Sequence, residues 1–274
     1  MPLSITTNLA SISAQRSFLN SNQALETAYE RLATGKRVNS SVDDAAGLAI
    51  GTDLTSRVSG LNQAIRNVND GISMVQIAEG AFDEVTTILQ RLRDLAVQGA
   101  NDSLTSTEVA FLTTEHGKMV EALNDAIGQA KFGTRDLVAD SSAVTLTLHS
   151  GPDAGDTIAL AFGTTLISTA ANLGVGTSGI TMGNANSITT IDNALDAVAN
   201  HRANLGAQQA QLESTVRNLS NVAENTAAAA GRIMDTDYAA ETANLTKAQI
   251  LQQAATSVLA QANAQPQAVL SLLQ

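Results

Sequence analysis

An apolar residue returns at every seventh position from Leu54 through Leu61, Val68, Val75, Phe82 and Leu89 to Ala96. A 3.5-residue period sustained this far specifies a helix that packs along another helix for its whole length. The residues four further on supply the companion series: Val58, Ile65 and Ile72, turning polar at Glu79, Thr86 and Arg93. Residues 45–99 as one helix would reach roughly 80 Å at 1.5 Å per residue. The average globular helix is about eleven residues, so the repeat predicts an elongated, rod-like molecule. A second stretch repeats the pattern with Ile191, Val198, Leu205, Leu212 and Leu219, and Leu195, Val216, Ala223 and Ala230 stand between them.

Composition agrees with thin helical layers. Aromatic residues are 3% of the chain and Trp is absent, so Ala, Leu, Ile and Val must fill the core. The net charge is −11, from 15 Lys and Arg against 26 Asp and Glu. Nucleic-acid binding needs a concentrated basic surface, and this balance argues against it. With no Cys there are no disulfides, thiolate metal sites or cysteine nucleophiles. No apolar run approaches a membrane span. The opening residues, Met1-Pro2-Leu3-Ser4-Ile5, carry no basic n-region or apolar h-region, so a secretory signal is not expected.

The two ends differ from the middle. Residues 1–25 carry one charge, Arg16, and residues 243–274 carry one, Lys247. Apolar residues nevertheless keep helical spacing: Ile5, Leu9, Ile12 and Leu19 at one end, Ala248, Leu251, Ala255, Val258 and Ala262 at the other. Amphipathic helices with so few charges lack the ion pairs that support a solitary helix. They are expected to be ordered against a partner, with Leu251 and Val258 on the buried stripe. Pro266 is expected to end or kink the last helix unless its neighbours compensate.

Between these parts, Thr105-Ser106-Thr107-Glu108 is a capping box opening a helix near 105–130, with Leu112, Met119, Leu123 and Ala126 on its inner face. The pair Asp43-Asp44 is placed to cap the first long helix. Residues 137–187 break the helical pattern. Val144, Leu146 and Leu148 alternate with polar residues, as do Ile158, Leu160 and Phe162, and Ser150 to Asp156 is a turn, so a β-hairpin is expected. The fold class is mainly α: an elongated antiparallel coiled-coil bundle with a small β-hairpin, its N- and C-terminal helices paired at one end. Two parts are expected. Residues 1–43 with 232–274 form a terminal-helix domain, and 44–231 a long-helix rod with hairpin and loop at 137–187.

No constellation carries catalytic chemistry. His116, His149 and His201 have no partner at metal-ligand spacing. Gly174, Gly176 and Gly179 match a dinucleotide fingerprint by letters, but no βαβ pattern surrounds them. No catalytic residue, cofactor or metal is expected.

Longer motifs carry a resemblance. Glu30-Arg31-Leu32-Ala33-Thr34-Gly35-Lys36-Arg37-Val38-Asn39-Ser40, then Asp43 to Ile50, closely resembles the N-terminal signature of bacterial flagellins. Gln90 to Gln98 does so too. Asp235 to Ala239, Ala248 to Ala254 and Val269 to Leu273 resemble the C-terminal signature. The resemblance covers about 1–140 and 188–274, with Met234 and Lys36 as departures. The large variable outer domains of longer flagellins have no room here.

The resemblance implies a structural subunit that self-assembles into the helical flagellar filament for motility. It implies export unfolded through the flagellum's own type III channel, folding at the tip, and an extracellular location. The terminal helices would pack into inner tubes through Ile5, Leu9, Ile12, Leu19, Leu251 and Val258. Implied partners are other copies, an export chaperone, the filament cap, hook-associated proteins and host flagellin receptors, with no nucleic acid and no membrane. A Toll-like receptor epitope would map onto Arg91, Leu95 and Glu115, with Arg91 and Leu95 on an outer helix face. An inflammasome receptor would take Leu270, Leu272 and Leu273. Rival readings are a hook–filament junction protein and a secreted coiled-coil adhesin or binding module.

Overall fold

The computed structural model describes residues 7–138, 144–163, 170–176, 184 and 186–271. The elements are α1 (Leu9–Thr34), α2 (Ala45–Gly99), α3 (Ser106–Gly128), β1 (Lys131–Phe132), β2 (Arg135–Asp136), β3 (Val144–His149), β4 (Thr157–Gly163), α4 (Asn186–Met234) and α5 (Tyr238–Ser271). The chain divides into two compact units, one of residues 1–56 with 225–274 and one of residues 57–224.

Local chemistry sets the helix ends. Asn8 Oδ1 accepts from Ser11 N, and Gly35 ends α1 in the left-handed region at φ +70°. Asp44, not Asp43, caps α2 by accepting from Gly47 N. Asp43 instead accepts from the Asn39 and Ser40 backbone N–H groups, which holds its carboxyl below the usual range. The capping box opens α3 as expected, and Asp237 Oδ1 accepts from Ala239 N and Ala240 N at the start of α5.

The 57–224 unit has a continuous core of large side chains, among them Phe82, Leu89, Leu92, Leu123, Ile127, Leu160, Phe162, Ile191 and Leu205. The expected heptad residues from Leu61 to Ala96 are buried. Their companions, however, lie three residues on rather than four: Ala64, Gly71, Ala78, Val85 and Leu92 are buried, while Val58, Ile65 and Ile72 are half-buried. Small residues stand where another element comes close. A Cβ at Gly71 would overlap Leu148 Cδ1 and come within 3.3 Å of Leu160 Cδ1, so this glycine is the notch into which the β3–β4 hairpin settles. The polar series flanks the seam: Glu79 and Arg93 pair with Arg202 and Asp192 of α4.

The expected hairpin is present, antiparallel, with Leu146 opposite Leu160 and Leu148 opposite Ile158. Helix side chains hold its two edges. Gln208 donates to Ala161 O and accepts from Ala161 N, and Asn67 donates to His149 O. A smaller hairpin, β1–β2, turns at Gly133 with φ +63°; nothing in the hydrophobic pattern announces it. On α3 the buried face is Leu112, His116, Val120, Leu123 and Ile127, whereas Met119 and Ala126 are half-buried. His116 sits in that face because its ring is held by the Val175 backbone.

Candidate assembly surface

In the unit of residues 1–56 and 225–274, α1 and α5 pair antiparallel through very small side chains. Ser11, Ala14 and Ala28 are buried on α1, and Ala248, Ala255 and Ala262 on α5. Phe18, Leu25, Leu245 and Leu259 are half-buried between them. Each buried methyl contributes only about 0.8 kcal/mol, so this seam is weak compared with the core of the other unit. Side-chain hydrogen bonds fix its register: Ser11 Oγ to Asn263 Oδ1, Gln252 Nε2 to Asn22 Oδ1, and Gln249 Nε2 to Tyr29 Oη. Glu241 is buried, with Arg31 at 3.9 Å.

Pro266 does not end α5, which continues to Ser271. A proline lacks the N–H that would bond the carbonyl four residues back. That carbonyl, Ala262 O, accepts instead from Asn8 Nδ2 at 2.8 Å. One asparagine thus caps α1 and repairs α5, a pairing no local pattern reveals.

The large apolar residues lie elsewhere. Leu9 is 73% exposed, Leu19 65%, Val258 53%, Ile12 48% and Leu251 47%. The expected placement of Leu251 and Val258 on one buried stripe with Ala248, Ala255 and Ala262 is therefore corrected for the single chain. The alanines take Leu245, Gln252 and Leu259 as companions, and Leu251 and Val258 turn outward. Ile5 lies outside the described residues, as do Leu272 and Leu273; for Leu270 only the helical backbone is described. Exposed Leu, Ile and Val on a nearly uncharged helix pair form a surface suited to further helices rather than to water.

Where α1 leads into α2, residues 35–38 lie against the end of α4. Arg37 N donates to Met234 O, Thr236 N donates to Gly35 O, and the Arg37 guanidinium donates to Ile233 O. The Met234 side chain occupies the space beside Gly51, where a Cβ would overlap its sulfur. This clasp uses the residues of the 30–40 motif for backbone pairing, a role the motif's spelling does not disclose.

In the 57–224 unit, Arg91 and Glu115 form an ion pair between α2 and α3, both partly exposed. Leu95 does not share their surface. It is 1% exposed and belongs to the core, which corrects its expected outer-face position. Ile88, one heptad before it, is buried as well, so a further buried row runs beside the heptad seam on this part of α2. Among the described residues no group of His, Asp and Glu is arranged to hold a metal, and no helix is long and apolar enough to cross a membrane.

Known proteins match this chain over nearly its whole length. The bacterial flagellin N-terminal helical region matches residues 5–143 and the flagellin C-terminal helical region matches residues 188–273. A flagellin of Halalkalibacterium halodurans is 43% identical over 273 residues, 98% of this chain and 99% of that protein. Flagellin B of Vibrio anguillarum is 34% identical, with the whole of both chains covered. The crystal structure of Bacillus cereus flagellin aligns over 60% of this chain and 94% of that one, at 26% identity and a TM-score of 0.47.

Proposed function

The chain belongs to the bacterial flagellin family, a family of structural proteins, and is a subunit of the flagellar filament; on this premise we propose that its terminal helices are the part that packs copy against copy. The assembling part is residues 1–43 with 232–274, and residues 44–231 fold by themselves. The observation that carries this reading is the outward position of Leu9, Ile12, Leu19, Leu251 and Val258 on a helix pair whose own seam is mostly alanine. Ile5, outside the described residues, keeps the same spacing in the sequence. Burying these side chains between copies stabilises by about 1.5–3 kcal/mol each. A charged group there has no partner and costs several kcal/mol.

Deleting residues 1–40 or 235–274 abolishes polymerisation and leaves a soluble helical monomer, read by sedimentation and circular dichroism. Leu251→Asp does the same in the full chain while changing monomer stability by no more than about 0.5 kcal/mol, as for an exposed substitution. Filaments of normal length from either form would contradict the assignment.

Family membership also supports export unfolded through the flagellar channel, an escorting chaperone, folding beneath a filament cap, contact with hook-associated proteins and an extracellular filament. For host recognition we infer that Arg91 and Glu115 form the exposed part of a Toll-like receptor epitope, with Leu95 supporting it from beneath. Leu270, Leu272 and Leu273 form the apolar tail offered to an inflammasome receptor. Near-complete coverage of both chains in the flagellin matches, at 43% and 34% identity, favours the filament subunit over a hook–filament junction protein or an adhesin.

A further inference from the structure

The clasp at the end of α4 uses one residue twice. The carbonyl of Met234 accepts from Arg37 N at 2.6 Å and from Val38 N at 3.5 Å. The side chain of the same residue reaches α2, where its Cγ and Sδ lie so close to Gly51 that a Cβ there would overlap both. Gly51 and Val38 are buried. Met234 itself is half-buried, so solvent reaches part of a side chain whose other part carries this packing.

The chain has five methionines. Met1 and Met182 lie outside the described residues. Met74 and Met119 are also half-buried, but both pack against the continuous core of the 57–224 unit, whereas the clasp belongs to the other unit. A thioether is a flexible apolar group. A hydroperoxide oxidises it by two electrons: the O–O bond breaks, one oxygen joins the sulfur, and with hydrogen peroxide the other leaves as water. The product is a polar, chiral sulfoxide. An oxygen on the face of the sulfur toward Gly51 meets the same overlap that a Cβ does. On any other face it is a polar group that is costly to bury without a hydrogen-bond donor.

We propose that Met234 is a modification site at which a hydroperoxide oxidises the sulfur, and that the sulfoxide turns away from Gly51 and unfastens residues 35–38 from the end of α4. With the sulfur withdrawn, hydrogen bonds still hold the last turn of α4 to this segment: those to Met234 O, that of the Arg37 guanidinium to Ile233 O, and that of Thr236 N to Gly35 O. Water competes for each of them, so each is worth only about 0.5–1.5 kcal/mol. The change is reversible, because sulfoxide reductases return the thioether. Residues 35–38 follow α1 and Met234 precedes α5, so the clasp joins the exit of one terminal helix to the entry of the other. Oxidised monomers therefore polymerise less readily, a consequence that rests on the reading of α1 and α5 as the assembly elements.

The test compares the full-length chain with Met234→Leu, which keeps an apolar side chain of similar volume without the sulfur. Both are treated as monomers with hydrogen peroxide, and peptide mass spectrometry reads the sulfoxide at each methionine. In the wild-type chain Met234 converts, and amide exchange at Arg37, Val38 and Thr236 accelerates by roughly ten-fold or more. The critical concentration for polymerisation rises several-fold, and a methionine sulfoxide reductase reverses both effects. Met234→Leu, with its other methionines oxidised to the same extent, shows neither. A second variant, Met234→Gln, sets a polar side chain at the same place and speeds the same amides without peroxide, so the test stands even where Met234→Leu misfolds. Met234 remaining a thioether at a dose that converts Met74 and Met119 overturns the proposal. So does sulfoxide at Met234 with unchanged exchange or unchanged polymerisation, or equal acceleration in Met234→Leu. Failure of the untreated chain to polymerise would instead refute the broader reading of the terminal helices, and the exchange measurement would still decide the modification site.

Discussion

The two units of this chain are built from the same repeat and differ in what fills it. In residues 57–224 the heptad positions hold Phe82, Leu89, Leu92, Leu205 and Leu212, all essentially without exposure. In residues 1–56 with 225–274 the buried inward positions hold Ser11, Ala14, Ala28, Ala248, Ala255 and Ala262, and Leu9, Leu19 and Leu251 face out. The first unit therefore spends its apolar surface on itself. The second keeps most of its apolar surface for neighbours. Side-chain volume at the seam, rather than helix length, decides which part of the chain is complete alone.

The largest effect that sharpens this contrast is expected at Leu95. Because it is buried, Leu95→Ala leaves a cavity and lowers the stability of the 57–224 unit by about 2–5 kcal/mol, read by chemical denaturation. Arg91→Ala removes one exposed ion pair and costs at most about 1 kcal/mol. Receptor signalling measured beside stability then separates the two: Arg91→Ala should lose signalling with its fold intact. Equal, small stability changes for both would place Leu95 on the surface and break the contrast.

The effect of pH comes next. His116 and His201 both have their pKa pushed below the ordinary value by burial, and all three histidines belong to the 57–224 unit. A depressed folded pKa means that the unfolded chain binds more protons between that pKa and about 6.5. The stabilisation from keeping the rings neutral is fully present above that upper value and is lost as pH falls through the folded pKa. His116 Nε2 has no hydrogen-bond partner, so its added proton would be buried unsatisfied. The stability of the 57–224 unit should therefore fall as pH drops below about 6.5, above the range where Asp43 and Glu108, both lowered, begin to protonate. His116→Leu should flatten the slope. A pH slope unchanged in that variant would assign it to other groups.

The smallest effect concerns Asn8. Asn8→Asp keeps the cap on α1 but cannot donate to Ala262 O. The expected cost is about 0.5–1.5 kcal/mol for one hydrogen bond, felt at the far end of α5. Amide exchange should accelerate around residues 262–271 and hardly at all in the 57–224 unit. If the two units responded alike, the terminal pair would not be the separately adjustable part this comparison makes it.

Much of this was legible in the residues. The long helices follow from the heptads, the opening of α3 from its capping box, and the hairpin from alternation around Ser150 to Asp156. Family membership was legible too, because its signatures are long and contiguous. The small β1–β2 hairpin was not, since two-residue strands have no period. The repair of Pro266 by Asn8 was not, because its partners are 254 residues apart.

Sequence alone determined which segments are helices and that each has an apolar stripe. Tertiary structure decided which neighbours of the stripe go inside. In a helix, residues three and four further on lie about 60° to one side and 40° to the other, so both fit a heptad equally well. The choice falls to whatever packs there. The hairpin selects Gly71 over Ile72 on α2, and the close approach of α1 to α5 selects Leu259 over Val258. Periodicity fixes an axis of symmetry in the pattern, and only a packed neighbour breaks it.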